Sequence, residues 1–136
     1  MFTAKSVSEL KSIAEYLLTE DSVKPIILFK GELGAGKTTL VKQVLQKLSV
    51  AESVTSPSFG IENQYNTPQG LIHHFDLYRI EHTDELIEFG FYETLDSGEL
   101  CLVEWPEMAD GIWHDYDVTE VRIEVEDDGL RRIFVV

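Results

Sequence analysis

The stretch GELGAGKTT, residues 31–39, holds Gly31 and Gly36 at the spacing G-x-x-x-x-G-K-[ST], completed by Lys37 and Thr38. That spacing suits one chemistry. Glycines allow the backbone angles at which several N–H groups turn inward together. A helix that starts immediately afterwards offers unpaired N–H groups and the positive end of its dipole to an anion. Lys37 adds an ammonium group for β- and γ-phosphates, and Thr38 adds a hydroxyl for Mg²⁺. The candidate nucleotide contacts along the loop are Gly31, Leu33, Gly34, Ala35, Gly36, Lys37, Thr38 and Thr39. The plain alternative is a glycine-rich turn with an ordinary surface lysine.

A phosphate loop also needs an acid from the end of a neighbouring strand for its metal. Glu104 closes LCLVE, an apolar run with the character of a buried parallel strand, and Asp76 lies in HHFDLYR. Either can touch the metal, directly or through water, with the other polarising the attacking water. Strand character favours Glu104 as ligand beside Thr38, which leaves Asp76 as the water-positioning acid. The catalytic set is then Lys37, Asp76 and Glu104. For Asp76 an ion pair with Arg79 is the structural alternative. Thr55 to Phe59, TSPSF, is a hydroxyl-rich, proline-stiffened segment placed to sense a γ-phosphate, or else a solvated turn.

These residues need particular elements beneath them. PIILFK, residues 25–30, reads as a central strand entering the loop. Thr38 to Leu48 reads as the helix leaving it, with Leu40, Val41, Val44, Leu45 and Leu48 on one side. Ser6-Val7-Ser8-Glu9 has the spacing of a capping box, and Val7, Leu10, Ile13, Ala14, Leu17 and Leu18 form one helical stripe. Ile61–Tyr65 and Leu71–Tyr78 flank the turn segment NTPQG as a hairpin. Thr83 is expected to cap a helix running through Phe89 and ended by Gly90. Val121, Ile123 and Val125 alternate with charged residues, and Asp128-Gly129 turns the chain into a return strand at Arg132–Val136. Together these elements predict an α/β fold forming one domain over residues 1–136. The expected architecture is the three-layer P-loop NTPase sandwich, with a sheet part parallel and part antiparallel.

The formal net charge is −14, from 25 acidic and 11 basic side chains. Such a field repels phosphodiester backbones, which argues against tight nucleic-acid binding by the chain alone. A nucleotide site here must work by short-range dipoles. No apolar run is long enough to span a membrane, and the N-terminus lacks the pattern of a signal peptide. A single cysteine, Cys101, reads as a small buried hydrophobe. These features suit a cytoplasmic protein. No N-K-x-D guanine-reading tetrad occurs, which favours ATP. Arg131 and Arg132 are candidates to stack on a purine, or are charges on a hairpin face. His73, His74, His82 and His114 read as structural, and Trp105 and Trp113 as core or partner contacts.

Taken together, GELGAGKTT, TSPSF, HFDLYR and LVEWPE, in that order, closely resemble the bacterial TsaE family (formerly YjeE) over nearly the whole chain. The resemblance implies a small P-loop ATPase, weakly active alone, needed to make N6-threonylcarbamoyladenosine at tRNA adenosine 37. It implies two protein partners, the threonylcarbamoyltransferase TsaD and its inactive paralogue TsaB, and contact with tRNA only through that complex. Leu33 to Thr38 would bind the phosphates of ATP or ADP, Thr38 and Glu104 would bind Mg²⁺, and Asp76 and TSPSF would flank the γ-phosphate. Val7 and Arg131 would fall beside the base. Ser58 stands where family members often have threonine, which keeps a hydroxyl. Two other classes remain to be weighed: a small-molecule kinase, for which an arginine-rich lid is lacking, and a nucleotide-dependent regulatory switch.

Overall fold

The structure is a computed structural model that describes residues 1–50 and 61–136, so TSPSF lies outside the described residues. The strands are β1 (Phe2–Ala4), β2 (Ile26–Lys30), β3 (Glu62–Thr67), β4 (Gly70–Asp76), β5 (Leu100–Glu104), β6 (Val118–Val125) and β7 (Arg131–Val135). They form a seven-stranded sheet in the order β1-β7-β6-β2-β5-β4-β3. The four middle strands β6, β2, β5 and β4 are parallel. Antiparallel strands extend both sides, with β3 on β4, and β7 then β1 on β6. The sheet is therefore mixed, as expected.

The apolar runs IILFK and LCLVE occupy the two central positions because both of their faces are covered. Ile27, Phe29 and Leu102 enter one core with α1 (Leu10–Thr19) and α2 (Lys37–Lys47). Ile26, Leu28, Cys101 and Val103 point the other way, into a second core with α3 (Glu85–Glu88) and α4 (Phe91–Asp96). Period-two alternation thus builds three layers from one sheet. Fully burying each of the large side chains, such as Phe29 or Phe91, contributes about 1.5–3 kcal/mol relative to exposure.

The first helix begins as expected. The Glu9 carboxylate accepts hydrogen bonds from the backbone N–H groups of Ser6, at 3.1 Å, and Lys5, across a single 3₁₀ turn at Val7–Glu9. The helix expected through Thr83–Phe89 is only one turn, Glu85–Glu88. Gly90 takes a left-handed conformation (φ 66°) that stops α3, and Phe91 then buries itself and restarts the chain as α4. The Thr83 carbonyl, rather than its side chain, bonds to the first turn at Leu86 N–H.

Among the described residues no helix is long and apolar enough to cross a membrane. At the carboxyl ends of the parallel strands, β2, β5 and β4 deliver Lys30, Glu104 and Asp76 to one edge. In open α/β sheets this is where ligands bind.

Candidate functional site: a loop, two acids and a lysine

The chain leaves β2 at Lys30, turns through residues 31–36 and enters α2 at Lys37. The turn depends on two glycines with positive φ, Gly34 at 82° and Gly36 at 106°. Gly36 is also the N-cap of α2 and has no side chain with which to cap it. Among the described residues no side chain caps the first N–H groups of the helix, and its first residues, Lys37, Thr38 and Thr39, line the cleft. Gly31 is confined for a different reason: a Cβ there would come 2.9 Å from the Ile123 carbonyl oxygen on β6.

Lys37 is buried, with 4% exposure. Its Nζ donates to the Gly31 carbonyl at 2.5 Å and lies 3.3 Å from the centroid of the Trp105 ring. Burial pulls the Lys37 ammonium below its ordinary pKa, and the nearby Glu107, Glu104 and Asp76 carboxylates oppose that shift. The desolvated ammonium is thus held by a carbonyl and an aromatic face.

Thr38, one residue on, donates its hydroxyl to Glu104 Oε1 at 2.7 Å. Glu104 is 2% exposed, and its other oxygen, Oε2, lies 2.6 Å from His74 Nε2. Asp76 is half-buried and pairs in register with Glu104 across β4 and β5. Burial raises the Asp76 pKa, the Tyr78 N–H at 3.1 Å lowers it, and the Glu104 charge raises it further.

The structure gathers most of the expected set in one cleft of about 310 Å³: Leu33, Gly34, Gly36, Lys37, Thr38, Thr39, Asp76, Glu104 and Arg131. Tyr78 and Trp105 complete its wall. Val7 lies outside it, in an adjoining hollow of about 170 Å³ shared with Gly36, Thr39 and Arg131. Gly31 and Ala35 line a third, larger hollow of about 640 Å³ on the β6 side. That hollow contains none of Thr38, Asp76 and Glu104, so its greater volume does not mark where the chemistry converges.

The two arginines separate. Arg131 Nε donates to the Ala35 carbonyl at 2.8 Å and pins the loop from β7, whereas Arg132 points away and pairs with Glu126 at 2.7 Å. Two residues outside the expected site set touch members of it: His74 meets Glu104, and Trp105 meets Lys37. The legible sign for His74 was its place two residues before Asp76, hence on the same face of one strand. Trp105 gave no such sign, because it reaches Lys37 from a left-handed backbone (φ 57°) directly after β5. Of the other histidines, His73 bridges Glu62 and Glu99 on the opposite face.

The family model for Threonylcarbamoyl adenosine biosynthesis protein TsaE matches residues 4–133. A Haemophilus influenzae protein named tRNA threonylcarbamoyladenosine biosynthesis protein TsaE is 38% identical over 119 residues, covering 87% of this chain and 75% of that protein. A Rickettsia prowazekii protein of the same name is 33% identical over 132 residues, covering 96% and 90%. The crystal structure of Bacillus subtilis YdiB superposes with a TM-score of 0.72 at 25% identity, covering 99% of this chain and 83% of that one. With the family match spanning the five strands β2 to β6, the loop and both acids, the chain belongs to the TsaE family.

Proposed function

We propose that this chain is a cytoplasmic, single-domain, Mg²⁺-dependent ATPase of the P-loop NTPase class, serving formation of threonylcarbamoyladenosine in tRNA. The observation that carries the ATPase reading is the Thr38 hydroxyl 2.7 Å from the Glu104 carboxylate, at the mouth of a helix whose Lys37 is already buried. The role in tRNA modification rests on membership of a family whose relatives are named for that pathway.

The donor set fits magnesium. A hydroxyl and carboxylates are hard oxygen ligands, and Mg²⁺ characteristically takes one or two of them together with phosphates and water. Among the described residues no cluster of three or more His, Cys, Asp and Glu side chains could hold a metal by itself. Thr38 and Glu104 would hold the ion. The chemistry that Mg²⁺ supplies when bound is neutralisation of charge across the β- and γ-phosphates.

The protein's own contribution is positioning and electrostatics. Backbone N–H groups of the loop and the first turn of α2 receive phosphate oxygens. Lys37 exchanges the Gly31 carbonyl and the Trp105 face for the β/γ-phosphates. Asp76, beside Glu104, orients the attacking water and accepts its hydrogen bond. Val7 and Arg131 flank the hollow that would take the adenine.

A chain of charge −14 serves tRNA most simply through partners that hold the RNA themselves. We assign those partners as TsaD and TsaB, with ATP hydrolysis resetting their complex between rounds. The test is ATP hydrolysis and tRNA modification by the reconstituted set, with wild-type and Lys37→Ala chains. Lys37→Ala should keep its fold and lose both activities. Undiminished turnover in that variant, or phosphate transfer to a small acceptor instead of water, overturns the proposal.

A further inference from the structure

Glu104 carries one donor on each oxygen, and the two donors come from different elements. Thr38 approaches Oε1 from α2 and His74 approaches Oε2 from β4. His74 is completely buried, and among the described residues its Nδ1 has no hydrogen-bond partner. A proton on Nδ1 would be buried with no acceptor among the described residues, whereas a bare nitrogen lone pair is tolerated more readily. The hydrogen therefore resides on Nε2 and is donated to Glu104. The strand register explains the geometry: Asp76 pairs with Glu104 and His74 pairs with Leu102, on the face that α2 covers.

We infer that His74 is a positioning residue for the metal-holding carboxylate. This rests on the assignment of Glu104 to Mg²⁺ in the proposed function. A glutamate carboxyl rotates broadly about its last side-chain bond, so one donor alone does not fix its plane. With His74 on Oε2 and Thr38 on Oε1, the carboxylate plane is set before nucleotide arrives. Partners that orient metal-holding groups in this way typically alter metal affinity or activity by about 10–100-fold when removed. His74 is not among the residues that line the cleft. Its effect should appear in the metal requirement of nucleotide binding and not in nucleotide binding itself.

The experiment compares His74→Leu, His74→Gln and Glu104→Gln in the full chain, using ADP as probe. Calorimetry measures ADP affinity with and without Mg²⁺, and electron paramagnetic resonance measures Mn²⁺ uptake in the presence of ADP. His74→Leu should leave metal-free ADP binding unchanged and raise the metal concentration required by about 10-fold or more. His74→Gln places an amide N–H near the position of Nε2 and should stay within about threefold of wild type. If Glu104→Gln raises the metal requirement and a folded His74→Leu does not, the inference about His74 fails alone. If Glu104→Gln changes nothing, the site assignment falls and the inference with it. Should His74→Leu not fold, ¹⁵N NMR of the wild-type histidine ring decides the matter. A protonated Nε2 that responds to Mg²⁺ added to the ADP complex supports the inference, and an unprotonated or unresponsive Nε2 overturns it.

Discussion

Asp76 and Glu104 are direct partners in the parallel register of β4 and β5, so two carboxylates stand side by side at the carboxyl edge of the sheet. Their surroundings differ. Glu104 is enclosed and held by Thr38 and His74, whereas Asp76 is half-buried and held by the Tyr78 N–H. On the proposed function, this asymmetry would divide their duties. Glu104→Gln should lower the Mg²⁺-dependent part of nucleotide affinity by about 10-fold or more. Asp76→Asn should bind Mg-ATP within about threefold of wild type and lose roughly 100-fold or more in turnover, in the range for a general base. Calorimetry and a phosphate-release assay on both variants check the division, and equal loss of binding in the two would refute it.

The raised pKa of Asp76 also predicts a cost in stability. Its ordinary value is 3.8 and burial shifts the folded value upward, so the native state binds the proton more tightly than the unfolded state. Stability therefore falls as pH rises from about 3.8 through the folded pKa. Asp76→Asn, which removes the charge, should melt on the order of 1–3 °C above wild type at pH 7 in the absence of nucleotide. The gap should close below the ordinary value. Thermal melts across that range check the sign, and a wild type that melts higher at pH 7 contradicts it.

Trp105 should report on Lys37. The ammonium lies 3.3 Å from the ring centroid and has to leave the ring to reach a phosphate. In a Trp113→Phe background, which leaves one tryptophan, Mg-ATP should change the emission saturably. Lys37→Met should remove most of that response. A nucleotide-insensitive emission in protein that binds ATP by calorimetry would show that Lys37 stays on the ring.

Arg131 and Arg132 adjoin in sequence but should differ in effect. Arg131 Nε holds the Ala35 carbonyl of the loop, and Arg132 forms an exposed pair with Glu126. A charge-assisted hydrogen bond contributes about 1.5–3 kcal/mol, so Arg131→Ala should weaken nucleotide binding by roughly 10-fold or more. Exposed ion pairs contribute about 0–1 kcal/mol, and Arg132→Ala should leave affinity nearly unchanged. Titration of both variants with ADP separates the two, and similar losses would undo the assignment of Arg131 to the loop.

Much of the frame is local in origin and was legible for that reason. β2 and β5 announce themselves as apolar runs because a strand covered on both faces has no polar side to show. β6 alternates because its outer face is wet. β1 carries too few residues for any pattern, and it becomes a strand only because β7 offers a free edge. The break between α3 and α4 turns on the left-handed Gly90, which as a sequence signal ends a helix without saying that another starts.

Within the site, the amino-acid sequence by itself determined the phosphate loop, the helix that follows it and the two acids in reach. Each of those depends on residues close together in the chain. Only the tertiary structure decided that Glu104 is the acid that meets Thr38, across 66 residues, and that His74 braces it, across 30. It alone turned Arg131 toward the loop, across 96 residues, and laid Trp105 under the lysine. The physical reason is that spacing in the chain constrains backbone angles and side-chain period, whereas strand register and layer packing choose which distant side chains meet.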